Sequence, residues 1–111
     1  MEIAETRHGD IVILGLTGRL DAGSAGALEQ QMLGLIDAGT QRLVVDARDL
    51  DYISSAGLRV LLVAAKRLRA VNGTVALAAL KDHIKEVFDI AGFSSVFPIH
   101  PTPEAALAAL R

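Results

Sequence analysis

Short apolar runs of strand length alternate along the chain with longer stretches in which apolar residues recur at helical spacing. This alternation predicts a sheet with crossover helices. Glu2–Arg7 reads as a first strand, His8-Gly9-Asp10 as a turn, and Ile11–Leu16 as an apolar, β-branched run suited to a central strand. After a break at Thr17-Gly18-Arg19-Leu20-Asp21, the stripe Ala25, Leu28, Met32, Leu35 and Ile36 predicts a helix. Asp21 or Ser24 is its expected cap and Gly39 its stop. Arg42–Ala47 is a compact apolar strand that gives way to an acidic loop. Beyond that loop, Ser54 and Ser55 open a helix whose buried face is expected to be Leu58, Leu61, Leu62, Ala65 and Leu68.

Asn72-Gly73 closes that helix, and Thr74–Ala79 follows as a strand, so the segment is a β-α-β unit with parallel strands. The N-terminus of its helix then lies at the carboxyl end of the sheet, where open α/β folds place their working surface. Lys81 to Ala91 is a further helix, with Ile84, Val87, Phe88 and Ala91 inward, Gly92 as its stop and Phe93 folding back over that end. Val96–Ile99 is a short last strand, placed at a sheet edge by Pro98. Thr102 as cap and Pro103 at the first helical position begin a final helix, docked by Ala106, Leu107 and Leu110. The expected fold is a single α/β domain over residues 1–111, a mixed sheet of about four to five strands with helices packed mainly on one face.

Composition sharpens this picture in a few places. At 111 residues there is room for one modest core. Hydrophobic residues make up 51% of the chain but aromatics only 4%, so that core is aliphatic. A formal charge of −2 argues against direct nucleic-acid binding, which calls for a basic stripe. The absence of cysteine removes disulfides, thiol nucleophiles and Cys-ligated metals, and fits a reducing cytoplasm. The opening MEIAETRHGD is charged, without a secretory pattern, and Val60–Ala65 is too short to insert in a membrane. A cytoplasmic location is expected.

Candidate chemistry is sparse. His8, His83 and His100 are scattered, without metal-ligand spacing or a Ser-His-acid order, and no Gly-rich loop with a lysine cradles a phosphate. Asp46, Asp49 and Asp51 fall near one strand end, where a solvated acidic loop accounts for them. No catalytic residue, metal or cofactor is therefore expected. The serine pair is the remaining feature. Either hydroxyl suits a helix cap. Ser55 falls on the flank of the exposed face, with Arg59 one turn on, where the positive end of a helix favours an added anion. Val60 and Val63 plot on the outward side of the same helix, as apolar contact area.

The run LVVDARDLDYISSAGLRVLL, preceded by LTGRLDAGSAGALE and followed by KEVFDIAGFSSVFPI and a Glu-Ala-Ala-Leu helix, resembles the STAS-domain family of bacterial anti-sigma factor antagonists (anti-anti-sigma factors). The resemblance spans essentially the whole chain, with several separated motifs in the same order. It implies a non-enzymatic, partner-switching regulator of sigma-factor-dependent transcription. In the family, a serine or threonine at the start of the central helix is phosphorylated by a partner that is both kinase and anti-sigma factor. Aligned on Gly57-Leu58, that site falls on Ser55, with Ser54 as second choice. The family often has Asp where this chain has Ser54, and a second hydroxyl where it has Ala56. The acidic residue of the LTG–LD motif, which helps engage the kinase, falls on Asp21.

The resemblance thus implies an anti-sigma factor serine kinase and a serine phosphatase as partners. The partner-binding set is Asp21, Ser54, Ser55, Arg59, Val60 and Val63. Since STAS domains also occur as small accessory subunits of ABC-type lipid transporters, binding to such a transporter's ATPase is the alternative. Self-association and nucleotide binding have no signature in the residues.

Overall fold

Strand β1 (Glu2–His8) turns through Gly9 and Asp10 into β2 (Ile11–Leu20) in the computed structural model, which describes Met1–Arg111. Gly9 sits at φ 65°, a left-handed conformation that glycine adopts without penalty, and this lets the hairpin close. Three crossovers follow: α1 (Ala25–Asp37) leads to β3 (Arg42–Ile53), α2 (Ser55–Arg69) to β4 (Thr74–Ala78), and α3 (Asp82–Ala91) to β5 (Ile99–His100). Helix α4 (Pro103–Leu110) ends the chain. The five strands lie in the order β1-β2-β3-β4-β5; β1 is antiparallel to β2 and every other pair is parallel. No helix is long and apolar enough to cross a membrane.

Side-chain alternation sorts the strands' residues onto two faces. Val12, Leu14, Leu16, Leu43, Val45, Val75 and Leu77 face α1, α2 and α3 in a core of 23 buried residues. Ile11, Ile13, Val44, Ala76 and Ala78 face the other way, where Ala106 and Leu107 of α4 cover them. Three helices on one face and one on the other is the expected arrangement, with five strands. Phe88 and Phe97 meet edge to face at 5.8 Å and tie α3 to the approach to β5.

Several boundaries move. Strand β3 continues six residues past Ala47, so the expected acidic loop is a strand, paired with a β2 that itself runs four residues past Leu16. The last strand is Ile99–His100, and Pro98 precedes it with its carbonyl accepting from Leu77 N–H at 2.8 Å. Ala91 is exposed because α3 buries only Ile84 and Phe88 fully. Neither Asp21 nor Ser24 caps α1 through its side chain. Ser24 Oγ instead accepts from Asp21 N–H at 3.0 Å and donates to the Arg19 carbonyl at 2.8 Å. At the far end of the chain, Thr102 Oγ1 accepts from Ala105 N–H and Pro103 opens α4, as the sequence predicts.

Candidate functional site

Strands β2 and β3 stay paired to their carboxyl ends, Leu20 opposite Ile53. The next amide extends that pairing: Ser54 N–H donates to the Leu20 carbonyl at 2.9 Å. This bond fastens the start of α2 to the end of β2 and sets Asp21 and Ser55 one residue beyond it on either side. Gly57 makes the approach possible. A Cβ there would lie 2.6 Å from Leu20 Cγ and 3.1 Å from Ile53 Cγ1, inside contact distance.

The two serines separate into distinct positions. Ser54 has extended backbone, and its Oγ accepts from Gly57 N–H at 3.2 Å, the bond that caps α2. Ser55 is the first helical residue, and it is exposed. The first turn of α2 contains no acidic residue of its own, so the helix dipole there is not offset from within the helix.

Asp21 is half-buried and held in a turn. Its Oδ1 accepts from Gly23 N–H at 3.0 Å and from Ser24 Oγ at 3.2 Å, and its Oδ2 lies 3.9 Å from Arg19 Nε. Arg19 in turn lies over the Tyr52 ring, 4.2 Å from its centroid, because the two residues are opposite each other across β2 and β3. Beside them Asp51 pairs with Lys81, and His83 Nε2 is 2.7 Å from the Asp51 carbonyl. The Lys81 hydrogen bond, and then its charge, hold the Asp51 carboxyl below the usual carboxylate range, with smaller help from His83 and Arg19. Tyr52, Lys81 and His83 are not in the partner-binding set that the sequence suggests. The pointer to Tyr52 was its place as the one tyrosine of the chain, two residues before the serine pair.

Helix α2 is rotated from the expected wheel. Its buried residues are Gly57, Leu58, Val60, Leu61, Ala64 and Leu68, while Leu62 and Ala65 are only half-buried. Val60 is therefore not an outward contact residue: at 6% exposure it belongs to the core. The cause is α1, which lies along that flank and leaves a groove of about 220 Å³ lined by Ala25, Gly26, Glu29, Ala56, Arg59 and Val60. Val63 is half-buried and Arg59 exposed.

No three His, Asp or Glu side chains converge as metal ligands. Asp46 is paired with Arg48, and Asp51 with Lys81. The largest cavity, about 310 Å³, lies at the ends of β4 and β5 against Ala79, Leu80, Lys85, Ile99, His100 and Pro101, and the serine pair does not line it.

The STAS domain family model matches residues 2–106. BtrV of Bordetella bronchiseptica, provisionally named an anti-sigma factor antagonist, is 43% identical over 111 residues, covering 100% of this chain and 96% of BtrV. A crystal structure from Thermotoga maritima, with the same provisional name, superposes with a TM-score of 0.94 at 19% identity, over 98% of this chain and 94% of that one. The Bacillus anti-sigma factor antagonist SpoIIAA is 20% identical over 99% of this chain. Its unphosphorylated form gives a TM-score of 0.80 over 98% of that chain, and its phosphorylated form 0.81 over all of it. By the end-to-end match to BtrV and the span of the family model, the chain belongs to the STAS-domain family of anti-sigma factor antagonists.

Proposed function

We propose that this protein is the antagonist in a partner switch: unmodified, it binds an anti-sigma factor kinase and frees the sigma factor, and phosphorylated on Ser55 it lets go. A serine phosphatase resets it. The observation that carries this reading is the division of labour between the serines. Ser54 is engaged as the cap, whereas Ser55 presents a free face at the helix mouth beside Asp21. The provisional name of BtrV favours the same reading.

The physics of the switch is an asymmetry between the chain and its partner. A phosphate adds about −1.5 to −2 charge and three acceptor oxygens. Within the chain, the positive end of α2 and Arg59, four residues on, favour an anion there. Both forms of SpoIIAA match this fold equally well, in keeping with a scaffold that tolerates the group. Against a docked partner, the same dianion is desolvated with only Arg59 to match it, so one of its charges is left unpaired. Leaving a buried charge unpaired costs about 3–5 kcal/mol, which is roughly 10²–10⁴-fold in affinity.

Radiolabelled ATP and the cognate kinase provide the test. Label should enter the wild type and Ser54→Ala, and should be lost in Ser55→Ala. Label retained in Ser55→Ala contradicts the assignment.

A further inference from the structure

The outer face of α2 carries a second feature, which a phosphate acceptor at Ser55 does not by itself require. Of the eleven lysines and arginines, seven form an ion pair within 4.0 Å: Arg7, Arg19, Arg42, Arg48, Arg67, Lys81 and Lys85. The four that do not are Arg59, Lys66, Arg69 and the terminal Arg111. Three of these four belong to α2, a helix without a single Asp or Glu. With Ser55 and Leu62 they occupy positions i, i+4, i+7, i+11 and i+14, which is one stripe at 3.6 residues per turn. The stripe is about 21 Å long at the helical rise of 1.5 Å per residue. Ser55, Arg59, Lys66 and Arg69 are exposed along it, and Leu62 is half-buried at its middle. An ordinary solvated helix face interleaves charges of both signs at i,i+4 spacing. This one does not, although the chain as a whole is negative.

We infer that this stripe receives an acidic surface of the anti-sigma factor, one in which Asp or Glu side chains flank an apolar position that takes Leu62. The inference rests on the partner-switch reading and adds to it the chemistry of the partner's face. Charge complementarity selects that occupant. Three cations over about 21 Å are few against a duplex with one phosphate per about 1.7 Å of axis. The apolar flank of α2 is engaged by the sheet and α1, so the helix lacks the open apolar face that a membrane-surface helix buries. Release then gains a second cause. A phosphate on Ser55 draws Arg59 away from the partner at i,i+4 and sets a like charge opposite the partner's acids.

The test is the affinity of the full chain for its cognate anti-sigma factor, titrated at about 0.1 M and about 0.5 M salt, where the Debye length falls below about 5 Å. Each of Arg59→Gln, Lys66→Gln and Arg69→Gln should weaken binding about two- to fivefold at the lower salt, and the triple variant about tenfold or more. The gap between triple variant and wild type should close to within about twofold at the higher salt. Arg111→Gln, off the stripe, should bind as the wild type does. Thermal unfolding of each variant monitors the fold. If the wild type binds and the triple variant binds equally well at both salts, the inference falls and the partner switch stands. If the wild type does not bind the anti-sigma factor at all, both fall. Capture of a 20-base-pair duplex or of phosphatidylserine vesicles by the wild type, abolished in the triple variant, would overturn the assignment to an acidic protein.

Discussion

The two ends of α2 are built on opposite principles. The C-terminal end is electrostatically complete: Lys66, Arg67 and Arg69 lie in the last turn, where the helix dipole is negative. Asn72, at φ 61°, then turns the chain, and Gly73 N–H returns to the Leu68 carbonyl at 2.6 Å. The N-terminal end has a neutral hydroxyl cap and no acid in its first turn. Both ends have a glycine wedged against the sheet, Gly73 against the Gln41 carbonyl and Gly57 against Leu20. The backbone is thus closely packed at each end, and the N-terminal end has no acid of its own in the helix. On the proposed switch, a phosphate on Ser55 would add negative charge there, and modification would then stabilise the free protein.

The glycines give the largest effects on this comparison. Gly73→Ala places a Cβ 2.5 Å from a backbone oxygen, and Gly57→Ala places one 2.6 Å from Leu20 Cγ. Each should destabilise by about 1–3 kcal/mol in urea unfolding. Only Gly57→Ala should also weaken anti-sigma factor binding, since it displaces the turn that presents Ser55. Equal binding losses for both would break the comparison.

Next comes the cap. Ser54→Ala removes the acceptor of Gly57 N–H and should cost about 1 kcal/mol of stability. A smaller change of opposite sign is expected for Ser55→Asp, which should stabilise the free protein by about 0.3–1 kcal/mol, read as a raised Tm at low salt.

The Asp51–Lys81 pair, exposed beside this end, should contribute least. The folded pKa of Asp51 lies below its ordinary value of 3.8. Its contribution is therefore fully present above about pH 4 and is lost as pH falls through the folded value. The Tm difference between wild type and Lys81→Met should narrow between pH 6 and pH 3. A difference that widens on acidification would contradict the pairing.

How much of this was legible in the sequence follows the regularity of the local pattern. Helix α4 and the glycine stops of α1 and α3 were readable because caps and left-handed glycines are local devices: Thr102-Pro103, Gly39 at φ 105° and Gly92 at φ 77°. The extension of β3 was hidden. Residues 46–53 of β3 pair with residues 15–20 of β2 through two register shifts, between Gly15 and Thr17 and between Gly18 and Arg19. The extra residues on β3 break the period-2 alternation, so DARDLDYI reads as an acidic loop. The same shifts bring Arg19 opposite Tyr52, a contact that no spacing within either segment reveals. Val60 was misplaced because a helical wheel has one inward direction, while α2 has two neighbours, the sheet and α1. At the site, the motif singled out the serine pair. Their separate positions needed the Ser54–Leu20 and Ser54–Gly57 bonds.

The most direct measurement is calorimetric titration of the cognate anti-sigma factor with two samples of this protein, unmodified and stoichiometrically phosphorylated on Ser55, each with its Tm recorded. The prediction is an affinity at least about a hundredfold weaker for the phosphorylated sample, with a Tm equal to or above that of the unmodified one. Equal affinities would contradict the account, and so would an affinity lost only because the phosphorylated protein has unfolded.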